Sequence, residues 1–534
     1  MSGGSAARPS AGRRRDPRLR PALWSTAGVL PLPGPPYLEH VERLLTAHGR
    51  GPLPDGGGPS PDEAPPKPGQ PLWMPGALEG ILAVRVTPDD SSPTPPLAAA
   101  AIVRACEQPL GTISLHTVAD RLADLSGPSD VDRLVRLVRV DSLAGRLRLA
   151  ELARWLCRSG TRLRQVQSGI ALLGSVGGPQ DRTLVTTLGL LSVLTRQSVA
   201  ALRGILPDAE AAVFELARRT SGWGRIHAVH GLQGTTTPRI QDWLLRGGYD
   251  SGVIDEELAG IAALSGDLAG ALQGDVDDDL LHHAGRLLTA LRWGGPAEDL
   301  ADYPEGGVAI EFYLRSAAEA VPTIEILAVV QTLDRYLKDG AVRNPHLDAT
   351  ASRRLSWLTA ELLSRPVWPG VAEGALACRD IDAFCLAVQP AARAGIDVRP
   401  AVLGRLEKDA LEPFLWDRLL RRATPEQIAL TVTLAERVLV GRRPDADVSP
   451  EAGESERLGE CLVTILGRLH GRPGRGWPLV AAALGHPGVR VRRSALRLLH
   501  AWPADDRPAS VRTLVERLRW TEADPELRAL FAGL

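Results

Sequence analysis

The chain has 534 residues, a formal net charge of −1 and 44% hydrophobic residues. That is ample apolar material for a sizeable core, which excludes wholesale disorder, and the near-zero charge excludes a polyanion-binding surface on the scale of the molecule. No stretch approaches the roughly 18 apolar residues of a membrane span; the nearest, 184–194, is interrupted by threonine and serine. Lys67, Lys338 and Lys408 are the only lysines among 62 basic residues, and Asn344 is the only asparagine. This usage points to a GC-rich bacterial genome in which arginine is the default cation. Arginine content alone therefore says little about nucleic acid.

Residues 1–97 hold twenty of the 43 prolines. Stretches such as 51–61 cannot sustain a helix, because proline lacks the backbone donor and glycine costs conformational entropy. The segment is expected to be a largely irregular, mostly disordered arm interrupted by one docking helix, Tyr37–His48, with Leu38, Val41, Leu44 and Leu45 on one side. Its basic start is not followed by an apolar signal segment, so a cytoplasmic location is expected. From residue 98 the pattern becomes a series of 10–18-residue helical stretches separated by Gly, Pro and Asp, with almost no period-2 alternation. Residues 98–440 form one helical array, 441–457 a polar, proline-bearing loop, and 458–534 a final set of helices.

The clearest unit lies near the C-terminus. Trp477–Leu484 reads as a first helix, 485–488 as a tight turn, and a second helix starts at Val489 with Val491, Ala495, Leu498 and Leu499 in one stripe. A weaker copy places Val166, Ile170 and Leu173 at the same spacing; 223–232 is a further candidate. The 477–500 unit resembles a HEAT repeat. That resemblance implies an all-α fold, a HEAT-like α-α superhelix (solenoid) of roughly nine or ten helix pairs, each burying its apolar face against its neighbours.

Chemistry-bearing residues are sparse. Trp223, His227 and His230 share one helical face, which in a HEAT array would line the concave groove. With Arg225 and Trp243 they are the candidate binding residues. The two imidazoles would need a further ligand, such as one from Asp255, Glu256 or Glu257, to hold a metal. Residues 205–270 are also similar to bacterial proteins labelled limonene hydroxylase, which implies a monooxygenase, although no haem, flavin or facial-triad motif accompanies the similarity. Asp278 or Asp279 could pair with His282, but acidic residues at a helix start also favour the dipole. Arg490, Arg492, Arg493 and Arg497 form a local patch that could contact phosphate, but in this arginine-rich background a solvated face, or a helix packed near acidic neighbours, is the expected reading, and a nucleic-acid partner is not expected. Cys106, Cys157, Cys378, Cys385 and Cys461 lack metal-site spacing and read as buried free thiols. The expected function is a non-catalytic scaffold that binds a protein or peptide along the groove, with no metal or cofactor; the alternative is an oxidoreductase centred on Trp223, His227 and His230.

Overall fold

The computed structural model describes residues 26, 29–63, 73–85, 91–107, 112–294, 298–339, 344–440 and 452–534. Among these residues every regular element is helical and there is no strand. None of the described helices is long and apolar enough to cross a membrane. The chain folds as two compact units. One comprises 1–64, 73–275 and 290–306; the other comprises 65–72, 276–289 and 307–534.

In the first unit the helices are α1 (Tyr37–His48), α2 (Ala77–Arg85), α3 (Thr94–Glu107), α4 (Thr112–Ala123), α5 (Pro128–Leu137), α6 (Leu143–Ser159), α7 (Leu163–Val176), α8 (Arg182–Leu188), α9 (Ser192–Ile205), α10 (Glu210–Arg218), α11 (Gly222–His230), α12 (Pro238–Trp243), α13 (Glu256–Ser265) and α14 (Leu268–Gln273). The helices α6 and α7, α8 and α9, and α10 and α11 pack as sequential pairs, while α7, α9, α11 and α13 touch one another in succession. The predicted stripe Val166, Ile170 and Leu173 is fully buried in α7. Burying such side chains contributes about 1.5–3 kcal/mol each, which is why paired helices stack rather than stand alone. Arg154 on α6 reaches Asp181 with two bonds of 2.7 and 3.0 Å, fixing the turn ahead of α8.

The second unit follows α15 (Asp278–Trp293), which is shared between the units, with α16 (Gly306–Glu319), α17 (Ile324–Asp339), α18 (Ala349–Leu363), α19 (Trp368–Leu376), α20 (Ile381–Arg393), α21 (Arg399–Leu406) and α22 (Pro413–Leu420). It continues with α23 (Pro425–Leu439), α24 (Ala452–Gly467), α25 (Trp477–Leu484), α26 (Val489–Ala501), α27 (Ser510–Thr521) and α28 (Pro525–Ala532). Here α22, α24, α26 and α28 touch in succession, and α23 packs on α25. The helix pair α25 and α26 has the bounds its turn signals predict. Part of the expected loop 441–457 is helical instead: α24 starts at Ala452, because Leu458, Cys461, Leu462 and Ile465 bury one face and the helix extends N-terminally from them. Residues 441–451 lie outside the described residues.

Ala495 is fully buried in α26, whereas Arg493 on the same helix is part-exposed and pairs with Glu526 at 3.0 Å. Ala495→Phe should therefore cost roughly 1–3 kcal/mol by overpacking. Arg493→Ala should stay within about 0.5 kcal/mol. Urea denaturation of the two variants checks the difference.

The arm departs furthest from expectation. Residues 1–25, 27–28, 64–72 and 86–90 lie outside the described residues, but 29–63 and 73–85 are seated on the first unit. The helix α1 occupies its predicted span and packs on α6 and α8, with Tyr37 and Val41 fully buried. Tyr37 donates to Asp62 at 2.5 Å, and the other oxygen of Asp62 accepts from Leu163 N–H at the start of α7. Proline and glycine prevent long helices here without preventing docking, because the array supplies the surface.

Candidate functional site

The second arm helix, α2, decides what becomes of the predicted groove. It lies against α5, α9 and α11. Trp223 and His227 do share a face of α11, with ring centroids 6.0 Å apart. That face is turned to α2 rather than to an open surface. A Cβ on Gly80 would meet the Trp223 ring at 2.6 Å, and His227 Nε2 lies 3.4 Å from the Gly76 carbonyl oxygen. Only the neutral tautomer protonated on Nε2 can donate there while leaving the imidazole uncharged. Burial pushes the His227 pKa down to about 4, against the opposing bond to Gly76; the nearby Arg196 charge acts in the same direction as burial. Beside it, Glu79 of α2 lies 3.4 Å from Arg164 Nη1, which also donates to Gln167 at 2.6 Å. Gln167 in turn donates to the Val193 carbonyl at 2.9 Å, tying the arm to α7 and α9.

The other predicted residues separate. His230 is exposed, with Nε2 3.9 Å from Glu257. Arg225 turns away from Trp223: its Nε donates to the Thr220 carbonyl at 2.9 Å and its Nη1 to the Asp250 carbonyl at 2.7 Å. Ala228, Val229 and Leu232 are buried in the helix seam, as the spacing requires. Trp243 is half-buried and packs edge-on to Phe214 at 5.2 Å. The five candidates thus do not form one constellation.

Arg492 behaves like Arg225. It stands at the fourth position of α26, reaches back to the His486 and Pro487 carbonyls at 2.9 and 2.6 Å, and clamps Glu522 with two bonds of 2.8 Å. Arg528, fourth in α28, reaches back to the Glu522 carbonyl at 2.9 Å. In each case a guanidinium closes the turn before its own helix. The arginine patch is divided, with Arg492 and Arg493 packed beside carboxylates and Arg490 and Arg497 exposed. At the acidic cluster, Asp277 caps Leu280 N–H at 2.7 Å, as a helix start should, and the carboxylate–imidazole pair is Asp279 with His283 at 3.8 Å rather than with His282. All five cysteines are free, but only Cys106, Cys157 and Cys461 are buried as expected, and burial pushes their thiols up; Cys378, just past the end of α19, and Cys385, on α20, are part-exposed. Among the described residues no group of three or more His, Cys, Asp and Glu is arranged to hold a metal ion.

A different cleft in the same unit gathers charge. It encloses about 750 Å³ and is lined by Arg50, Gly51, Ala211, Phe214, Glu215, Arg218, Arg219 and Arg239. Arg218 and Arg239 stack on Phe214 at 5.8 and 5.7 Å from the ring centre. Arg219 is anchored to the Arg50 carbonyl at 2.8 Å and lies 3.5 Å from Glu215. Arg50, Arg218 and Arg239 are exposed, and among the described residues none of them has an ion-pair partner. The arm supplies Arg50 and Gly51, α10 and the Arg219 that follows it supply most of the rest, and α12 supplies Arg239. The sequence pattern conceals this set because Arg50 lies more than a hundred residues from the other members; Phe214, a rare aromatic in this chain, is the one local signal. No protein-family model matches the chain, and no curated protein matches it.

Proposed function

We propose that the protein is a non-catalytic, HEAT-like α-α scaffold that binds an acidic segment of a protein or peptide partner at the Arg50, Arg218, Arg219 and Arg239 cleft. The repeat reading is supported by the successive packing of α7, α9, α11 and α13, and of α22, α24, α26 and α28, together with the recurring arginine at the fourth helical position. The observation that carries the binding reading is four arginines around one glutamate, two of them within cation–π reach of Phe214. Stacking fixes a guanidinium plane while leaving its N–H edge free, and a fixed fork loses less entropy on meeting a carboxylate. Trp243 packs edge-on behind the same ring and holds it in place. The position required by the oxidoreductase alternative, Trp223 with His227, is filled by α2.

Fluorescence anisotropy with a labelled Glu-rich peptide tests the reading. Affinity should fall as salt rises, and the Arg218→Ala/Arg239→Ala double variant should bind about tenfold or more weakly while keeping its helical circular dichroism. Equal binding of a neutral peptide of the same length, or undiminished binding by the double variant, would overturn it.

A further inference from the structure

The second unit contains a cleft of about 680 Å³ formed by α17, the turn between α18 and α19, and the end of α20. Its wall includes Arg335, Lys338, Arg365 and Arg393 with Asp334 and Asp339. The charges do not cancel. Lys338 is taken by Asp334 at 2.7 Å, a carboxylate that also accepts from Thr359 at 3.5 Å. Among the described residues Arg335 and Arg393 have neither a carboxylate nor a hydrogen-bond acceptor, and Asp339 is exposed. Burial, and then the charges of Arg335 and Arg418, hold the Arg393 guanidinium below its usual range; among the described residues Arg335 and Arg393 thus stand in the cleft wall without an ion pair, Asp339 being the one wall carboxylate outside the Lys338 pair.

An independent observation points the same way. Gln331 is 8% exposed; its amide N–H donates to the Pro390 carbonyl at 3.1 Å, while its Oε1 is buried with no partner. Arg365 donates from Nη2 to the Ala318 carbonyl at 2.8 Å, and its Nη1 is likewise buried and unpartnered. An orphaned buried polar group has lost its hydration without regaining a bond, so a fold that keeps a donor and an acceptor orphaned in one cleft wall, beside converging like charges, sacrifices stability there. The cleft volume lies within the range of small-molecule sites. A monocarboxylate would offset one guanidinium only, whereas a phosphate monoester carries about −1.5 to −2 at neutral pH and three acceptor oxygens matched to arginine forks.

We propose that this cleft is a binding site for a small phosphate monoester, its dianion held by Arg335, Arg365 and Arg393 and a hydroxyl of its organic part donating to Gln331 Oε1. The site is distinct from the Arg50–Arg239 cleft and stands or falls separately from it.

Isothermal titration of the full chain with glycerol 3-phosphate, inorganic phosphate and glycerol tests the proposal. Both phosphates should bind and glycerol should not, with glycerol 3-phosphate the tighter of the two. Arg335→Met and Arg393→Met should each weaken phosphate binding about tenfold, the loss expected for one charge-assisted contact. Gln331→Met should erase the preference for glycerol 3-phosphate and leave inorganic phosphate unaffected. Without ligand, Arg393→Met should melt at a higher temperature than the parent, because it removes a repelled charge. Absence of phosphate binding, phosphate binding unchanged in both arginine variants, or a lowered melting temperature for Arg393→Met with binding retained by Arg335→Met would overturn the site. Equal affinity for the two phosphates in the parent would overturn the Gln331 contact.

Discussion

Arg492→Met should destabilise the C-terminal helices by about 3–5 kcal/mol, the cost of leaving one member of a buried ion pair alone. The Glu522 side chain is 3% exposed and takes both of its Arg492 bonds at 2.8 Å. Burial alone would push the Glu522 carboxyl up, but Arg492 and the Asp524 N–H hold it below the usual carboxylate range. The same guanidinium closes the turn before α26, so its loss also orphans the His486 and Pro487 carbonyls. Hydrogen exchange should show the damage confined to α26, α27 and α28. Arg490→Ala, an exposed position on the same helix, should change stability by less than about 0.5 kcal/mol. If the two substitutions proved equivalent, the clamp between α26 and the loop before α28 would carry no energy.

Gly76→Val is expected to lift α2 off α11. Gly76 has φ +83°, and a Cβ there would stand 2.7 Å from the Ser192 carbonyl oxygen, a backbone atom that cannot rotate aside. The backbone conformation alone costs on the order of 1–3 kcal/mol for a branched residue, and the contact adds to it. Gly58→Ala, at φ +68° but facing open space, measures the conformational part separately. Freed from the arm, His227 should titrate near 6.5 instead of about 4. In the parent protein the unfolded chain takes up this proton first as pH falls. The His227 contribution is thus complete above pH ~6.5 and declines towards pH 4, by about 3 kcal/mol in all. Chemical denaturation between pH 7 and pH 4 should show that acid-side loss in the parent and not in Gly76→Val. A parallel decline in both proteins would mean that the arm does not set the protonation of His227.

The elements with strong local codes were legible in the sequence: α1, and the pair α25 and α26, occupy the spans that their apolar spacing and their Gly and Pro punctuation predict. The docking of the arm was not legible. Glycine at 76 and 80 reads as flexibility when taken alone, whereas each position is small because Ser192 or Trp223 stands against it, and those partners are far along the chain. The backbone contacts of Arg225 and Arg492 are hidden for a related reason, although packing near acidic neighbours is among the readings the sequence favours for Arg492. A guanidinium on an amphipathic helix reads as a ligand-facing charge, and nothing in the spacing reveals that it bends back to carbonyls five or six residues earlier. Arg218 stands one turn after Phe214 on α10, but Arg239 beside that ring and the orphaned Gln331 needed the packed structure, since their neighbours are brought together by helix stacking.

The order of the seated arm along the chain has a consequence for biosynthesis. Gly76 and Gly80 leave the ribosome well before Ser192 and Trp223, the residues they fit against. At roughly 5–20 residues per second the segment waits several seconds or more without its binding surface. A waiting segment rich in leucine and valine would be a hazard in that interval. One rich in proline and glycine, with few large apolar side chains beyond Leu32, Tyr37, Val41 and Leu53 to hide, can remain solvated until its cradle has been made. The composition that suggested disorder is what allows late assembly: the arm is a closing piece translated early, and the first unit reaches its final form only after the chain has passed α11.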